Sequence, residues 1–156
     1  MAARGTARLS GTSAAVAKTK RSHILISWKT YLAVMLGGAL GSALRMWLNV
    51  QVASPAASAF PLGTLIVNVL GCLGIGAFAA WLETSGAASA SPLLRAFVMI
   101  GLLGGFTTFS SFSLQTWDLL RAGETARAGL NVLLSVVLCL GATWFGYAVV
   151  RALSTR

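Results

Sequence analysis

The residues best suited to bind an ion lie in one uncharged stretch, residues 101–113. This stretch combines three glycines with five serine and threonine hydroxyls. A regular lipid-facing helix gains nothing from Gly-Gly followed by Thr-Thr, and irregular backbone is tolerated inside a membrane only where it is buried in protein or lines a cavity. An interrupted helix frees carbonyls that can coordinate a small cation and N–H groups that can face an anion. The stretch therefore predicts an ion-binding interruption in a helix.

Two phenylalanines of this stretch, Phe109 and Phe112, are three residues apart and point the same way on a helix. An aromatic edge carries partial positive charge, so a pair of edges can contact an anion without a formal cation. By itself, this spacing is typical of core packing. Because the pair lies among hydroxyls that include Thr108 and Ser110, we favour an anion-binding role.

Two earlier stretches carry small or polar residues at helical spacing. Gly37, Gly41 and Arg45 share one helix face, which allows another helix to approach closely. Arg45 is compatible with snorkelling to the membrane interface or with lining a vestibule that attracts an anion. Thr64 and Asn68 are also one turn apart. Asn68 is compatible with interhelical hydrogen bonding or with a pore-lining donor.

A further polar stripe consists of Asn131, Ser135 and Cys139 at successive helical turns. Interhelical hydrogen bonding and a pore wall are both compatible with it. Cys72 and Cys139, the two cysteines of the chain, do not have a metal-type spacing. Since buried cysteine is usually a small apolar filler, the sequence predicts neither a disulfide nor a cysteine metal site.

The chain has three acidic residues, Glu83, Asp118 and Glu124. All three lie at or beyond the ends of apolar segments, whereas proton coupling or catalysis inside a membrane usually needs an ionisable group there. This argues against a proton-driven antiporter. It also argues against a hydrolase, because no acid, histidine or activated nucleophile pair can be assigned. We therefore predict that the protein is not an enzyme, and that its neutral polar groups bind an ion without trapping it.

The elements that position these residues follow from the composition. Of 156 residues, 56% are hydrophobic and 10% are charged, and the mean hydropathy is +0.80. Soluble domains carry about 25% charged residues. Apolar segments long enough to span a membrane as helices lie at about 31–50, 61–82, 93–117 and 129–150. We assign residues 30–151 to one transmembrane domain and residues 152–156 to a short C-terminal tail.

Residues 1–29 contain six of the twelve basic residues and no acid, and so contribute much of the formal net charge of +9. Beside membrane spans, such a segment is typical of a cytoplasmic anchor that sets orientation. We therefore predict no nucleic-acid partner. We interpret residues 1–29 as a disordered tail, and a transit peptide is the alternative because the segment is rich in alanine, serine and arginine.

Three motifs, one in each of the first three apolar segments, resemble the Fluc/CrcB family of fluoride channels. They are Gly-Gly-x-x-Gly-x-x-x-Arg at 37–45, Gly-Thr-x-x-Val-Asn-x-x-Gly at 63–71 and Gly-Gly-x-Thr-Thr-Phe-Ser-x-Phe at 104–112. The resemblance implies an all-α membrane protein of four transmembrane helices with a broken third helix. It also implies an antiparallel dimer of dual-topology type in the plasma (inner) membrane, surrounded by lipid.

The resemblance also implies roles for individual residues. Gly104 and Thr107 would hold a structural sodium ion at the dimer centre through their backbone carbonyls. The residues expected along the fluoride pore offer aromatic edges, amides, hydroxyls or a guanidinium at the vestibule. They are Phe109, Phe112, Asn68, Ser110, Thr108, Thr64, Arg45, Asn131 and Ser135.

The function implied by the resemblance is a passive fluoride channel that exports the anion and relieves fluoride toxicity. A small four-span multidrug-type exporter is one alternative, disfavoured by the missing carboxylate. A non-transporting membrane assembly subunit is another, disfavoured by the broken third segment.

Two features depart from the family pattern. Gln115 stands where family members often carry an acid. With the N-terminus inside, nine basic residues lie on the inner side and three on the outer side, and dual topology needs near balance. The bias favours one orientation, and hence a heterodimer with an oppositely oriented homologue, over a homodimer.

Overall fold

The computed structural model describes residues 27–52, 60–85 and 92–154, and the regular structure within them is all helical, without strands. The helices are α1 (Trp28–Val52), α2 (Leu62–Thr84), α3 (Pro92–Arg95), a π-helical segment (Ala96–Leu103), α4 (Gly104–Phe106), α5 (Phe109–Arg121) and α6 (Thr125–Ser154). We call Pro92–Arg121 the third span. This span, α1, α2 and α6 are each long and apolar enough to cross a membrane, which confirms the predicted four membrane-length helices.

Helix α1 begins at Trp28, inside the segment that we assigned to the N-terminal tail. The Ser27 hydroxyl accepts a hydrogen bond from the Lys29 N–H at 3.4 Å, and the Ser27 carbonyl accepts one from Thr30 at 2.8 Å. Serine before the first turn caps a helix in this way, so the helix starts earlier than hydropathy indicates. The predicted disordered tail, residues 1–26, lies outside the described residues. At the other end, α6 extends to Ser154, inside the assigned C-terminal tail, and residues 155–156 lie outside the described residues.

Helix α1 packs against the third span through glycines. A Cβ atom at Gly37 would overlap the Phe97 carbonyl oxygen, and one at Gly41 would overlap that of Leu102. Only glycine allows the two backbones to approach this closely, as in other small-residue membrane interfaces. Because the contact moves from Phe97 to Leu102 as α1 advances from Gly37 to Gly41, the two elements run parallel.

Helices α2 and α6 form a second parallel pair. A Cβ atom at Gly76 would overlap the Thr143 carbonyl oxygen. Further along both helices, the Tyr147 hydroxyl donates to Glu83 Oε2 at 2.5 Å. The two pairs then meet where α2 contacts the third span, and this is where the candidate site lies.

The third span changes conformation along its length. Its π-helical segment, Ala96–Leu103, belongs to a rare class of helix that often occurs at functional sites. After α4, Thr107 (φ −78°, ψ 158°) and Thr108 (φ −150°, ψ 111°) have extended backbone, and α5 starts at Phe109. We call residues 107–108 the extended segment. The Thr107 N–H keeps a helical hydrogen bond to the Leu103 carbonyl at 3.0 Å, whereas the buried Thr108 N–H needs a partner outside the helix.

The outer surface of the four helices is apolar. Met35, Leu133, Leu140 and Trp144 are each at least 60% exposed. A water-soluble protein rarely exposes so many large apolar side chains. This exterior is typical of helices that contact lipid or another membrane subunit.

Candidate functional site

Asn68 of α2 satisfies the backbone of the extended segment. Its Oδ1 atom accepts a hydrogen bond from the Thr108 N–H at 2.8 Å, and its Nδ2 atom donates to the Thr108 carbonyl oxygen at 3.1 Å. Thr108 is only 6% exposed, so both backbone groups need protein partners. We call these two bonds the Asn68 clasp. The clasp uses the amide oxygen and one N–H of Asn68, and the second N–H lies outside it.

The clasp redirects hydrogen bonds that a continuous helix would make. In such a helix the Thr108 N–H would donate to the Gly104 carbonyl, and the Ser111 N–H to the Thr107 carbonyl. Instead, the Thr108 N–H donates to Asn68, and the Ser111 N–H donates to Thr108 Oγ1 at 3.2 Å. The carbonyls of Gly104 and Thr107, which the resemblance assigned to sodium, therefore both lack their usual helical donor.

The Thr108 hydroxyl caps the first turn of α5. Besides the Ser111 N–H, it contacts the hydroxyls of Ser110 and Ser111 at 3.2 and 3.0 Å. Three hydroxyls thus meet at the N-terminus of α5, where the helix dipole is positive. This end of the extended segment suits negative charge, whereas the freed carbonyls at its other end suit positive charge.

Phe109 and Phe112 form a tilted pair on the first turn of α5. Their ring centroids are 5.4 Å apart and the ring planes meet at 49°. Phe109 is 78% exposed and Phe112 is half-buried. Both rings line a cavity of about 400 Å³ between α2, the third span and α6. The predicted site residues that line this cavity are Asn68, Thr107, Thr108, Phe109, Phe112 and Ser135.

Helix α6 contributes two polar residues that differ in environment. Asn131 is 1% exposed and donates to Thr116 Oγ1 at 2.8 Å, and that hydroxyl donates to the Phe112 carbonyl at 2.8 Å. Asn131 thus makes an interhelical hydrogen bond. Ser135 is 8% exposed, and its buried hydroxyl has no partner among the described residues. Since an unpaired buried hydroxyl is costly, the cavity wall at Ser135 suits a polar ligand.

The remaining predicted residues lie outside the cavity lining. Thr64 is buried one turn before Asn68, whereas Ser110 is exposed on α5. Arg45 is half-buried on α1, and Gly104 lies at the start of α4. The structure thus brings together the second-span amide, the hydroxyls of the extended segment, the phenylalanine pair and one fourth-span hydroxyl.

Two cavity residues, Cys72 and Cys139, are absent from the predicted site, although Cys139 belongs to the polar stripe of the fourth span, which is compatible with a pore wall. Each lies one helical turn beyond a predicted site residue, Cys72 after Asn68 and Cys139 after Ser135, and both line the cavity. The spacing of four residues was a signal that they share the cavity-facing side of their helices. Gln115 was noted for its departure from the family pattern, and the structure adds that its Oε1 atom is buried without a partner among the described residues.

Comparison with known proteins covers the whole of this site. A family model described as CrcB-like protein, Camphor Resistance (CrcB), matches residues 32–147. The relatives named Fluoride-specific ion channel FluC include proteins from three bacteria. The one from Methylocella silvestris is 50% identical over 124 residues, which are 80% of this chain and 95% of the relative. The one from Opitutus terrae is 54% identical over 117 residues (75% and 89%), and that from Paramagnetospirillum magneticum is 48% identical over 118 residues (76% and 92%). On this family match and these identities, the chain belongs to the CrcB family.

Proposed function

We propose that this chain is a fluoride-selective passive channel that exports fluoride from the cytoplasm. The observation that carries the proposal is the similarity to relatives named Fluoride-specific ion channel FluC, at 48–54% identity over at least 75% of the chain. With four membrane-length helices and channel relatives of the same family, the chain is a multi-pass integral protein of the plasma membrane. Because that family is one of channels, the chain is not an enzyme. Export relieves toxicity because neutral HF enters, dissociates in the more alkaline cytoplasm and is removed as fluoride.

In this proposal, uncharged hydrogen-bond donors and aromatic edges contact the fluoride ion along its path. Fluoride is small and strongly hydrated, so a pore must replace water with closely placed donors. The edges of Phe109 and Phe112, the second N–H of Asn68 and the unpaired hydroxyl of Ser135 supply such donors along one cavity. None carries a formal charge, so the ion is bound weakly enough to leave. Arg45 attracts fluoride to the pore entrance without entering the cavity.

We infer further that the extended segment acts as the break of a discontinuous helix, with a structural sodium ion at its carbonyls. Gly104 and Thr107 fit such an ion because their carbonyl oxygens both lack their usual helical donors. When bound, sodium would supply positive charge that offsets the two carbonyl dipoles. Two carbonyls are fewer oxygens than hard cations take in proteins, and a second copy across a two-fold axis would add the same two.

The proposed assembly is an antiparallel dimer. Phe109, which we assign to the pore, is 78% exposed beside the extended segment. A second subunit on this face would enclose the cavity and complete the cation site. The partner is either another copy of this chain or an oppositely oriented homologue, as the charge bias favours.

Purified protein in fluoride-loaded liposomes tests the function directly, with a fluoride electrode as the detector. We expect rapid efflux once the opposing membrane potential is collapsed. Efflux no greater than from empty vesicles, measured with protein shown to be dimeric, would contradict the channel.

The phenylalanine pair gives a sharper test of the mechanism. Phe109→Ile and Phe112→Ile each remove an aromatic edge and should lower efflux at least about tenfold, the equivalent of ~1.4 kcal/mol, with the dimer intact. Phe145→Ile is the matched control, because Phe145 is 57% exposed on α6 and does not line the cavity. Full flux in both pore variants would remove the aromatic pair from the mechanism.

A further inference from the structure

The two cysteines of the chain lie together on the wall of the cavity. Cys72 of α2 and Cys139 of α6 both line it, and both are half-buried and free. The two thiols belong to adjacent helices and border the same cavity. We call this pair the Cys72/Cys139 dithiol. The chain contains two cysteines in all, so any thiol chemistry of the protein belongs to this pair.

The packing of α2 against α6 holds the two thiols in register. One turn beyond them, Gly76 contacts the Thr143 carbonyl so closely that a Cβ atom would overlap it. The Thr143 hydroxyl in turn donates to the Cys139 carbonyl at 3.0 Å. Since neither helix can slide or separate without losing this contact, the dithiol is preorganised as a two-coordinate ligand.

We propose that the Cys72/Cys139 dithiol binds one thiophilic divalent cation, such as Hg²⁺, inside the cavity. Sulfur ligands select soft metals, whereas sodium and other hard cations prefer oxygen. On binding, each thiol releases its proton to water and forms one metal–sulfur bond. Two thiolates and one divalent cation make a neutral complex, which matters because an uncompensated charge in an apolar cavity is costly.

The position of the dithiol predicts an effect on transport. The same cavity contains the Phe109 and Phe112 rings and the Asn68 amide. A metal held between Cys72 and Cys139 would occupy part of the space that these groups share, and would obstruct the anion. This step rests on the proposed fluoride conduction, whereas metal binding itself does not.

Metal retention by the full-length protein in detergent tests the site without any transport measurement. Protein is incubated with Hg²⁺, challenged with excess glutathione, passed through a sizing column and analysed for mercury by mass spectrometry. We expect one Hg²⁺ per wild-type chain, because a dithiol chelate resists a competing monothiol. Cys72→Ser and Cys139→Ser should each retain less than a tenth of this amount, and the double variant none.

Three results would overturn the binding proposal. They are no retained mercury in the wild type, two ions per wild-type chain, or single variants that retain as much as the wild type. The elution volume of each variant checks its fold, and Cys72→Ala and Cys139→Ala replace any serine variant that elutes abnormally.

Liposome efflux with and without Hg²⁺ then tests the obstruction. The ratio of the two rates is compared within each protein, and we expect at least a tenfold block in the wild type and none in the double variant. Retained mercury with unchanged efflux would overturn the obstruction. Absence of efflux from metal-free protein would instead overturn the proposed function, and the retention assay would still decide the site.

Discussion

The Asn68 clasp predicts that Asn68→Leu destabilises the protein at one point of the third span. Leucine is similar in size to asparagine but has no amide, so the Thr108 N–H loses its partner. The Thr108 carbonyl loses one of two donors, because as the N-cap carbonyl it also accepts the first bond of α5. Thr108 is 6% exposed, and water cannot readily replace the amide. Each buried group left unpaired costs about 1–3 kcal/mol. We therefore expect the free energy of unfolding to fall by about 1–3 kcal/mol.

Hydrogen exchange at the Thr108 amide reports this loss at the residue concerned. If the clasp contributes about 3 kcal/mol, its removal should speed exchange roughly 150-fold, since each 1.4 kcal/mol is a factor of ten. Unfolding in detergent measures the global effect on the same samples. Exchange at Thr108 within twofold of the wild-type rate would refute the clasp.

Asn131→Leu is the matched control for this experiment. Asn131 is also a buried amide, but it donates to Thr116 Oγ1 at 2.8 Å between α5 and α6. Its loss should lower global stability by about 1–3 kcal/mol. Exchange at Thr108 should stay unchanged, because the clasp is intact. Similar acceleration in both variants would mean that Thr108 reports general loosening and not the loss of a particular partner.

Three further predictions concern packing, an unpaired amide and topology. Gly146→Ala should lower stability by about 1–3 kcal/mol, because its Cβ would overlap the Leu73 carbonyl oxygen. Gly141→Ala places its new Cβ where no atom lies within 4 Å, so it should raise stability by up to about 1 kcal/mol. Thermal unfolding would distinguish these two variants. Gln115→Leu removes a buried oxygen that has no partner among the described residues, so stability should stay equal or rise, and a loss in the same assay would contradict this. Deleting residues 1–26 should change cysteine-accessibility labelling of the loop at 122–124 from one side of the membrane to both, and equal labelling of the full-length chain would exclude a fixed orientation.

The four helices could be predicted because membrane-length apolar segments are a property of the local sequence. The π-helical segment could not, since nothing in Ala96–Leu103 distinguishes it from an ordinary apolar helix. Its close contact with α1 depends on Gly37, which lies far away in the sequence. The start of α1 at Trp28 could not be predicted for the opposite reason: the Ser27 cap is local, but hydropathy is insensitive to a helix cap.

The candidate site was predictable in its residue types but not in its pairings. The sequence left Asn68 compatible with a pore donor or with interhelical bonding, and the structure gives its amide a backbone partner, Thr108, 40 residues away. The dithiol illustrates the same limit. The cavity-facing side of Cys72 and Cys139 follows from helical spacing, but their position on the wall of one cavity depends on the register of α2 against α6, which Gly76 sets through its contact with α6.

One local rearrangement accounts for both kinds of ion in the proposed mechanism. Because Asn68 takes the Thr108 N–H and the Thr108 hydroxyl takes the Ser111 N–H, two carbonyls are freed on one side of the extended segment. On the other side, the same threonine precedes the first turn of α5, and the positive end of the α5 dipole points towards the site. The extended segment can therefore hold a cation at one end and attract an anion at the other. No ionisable side chain lies between the two ions. An acid or a lysine placed there would bind one ion firmly and oppose the other. The scarcity of charge in the spans is thus a requirement of the proposed site as well as of the membrane.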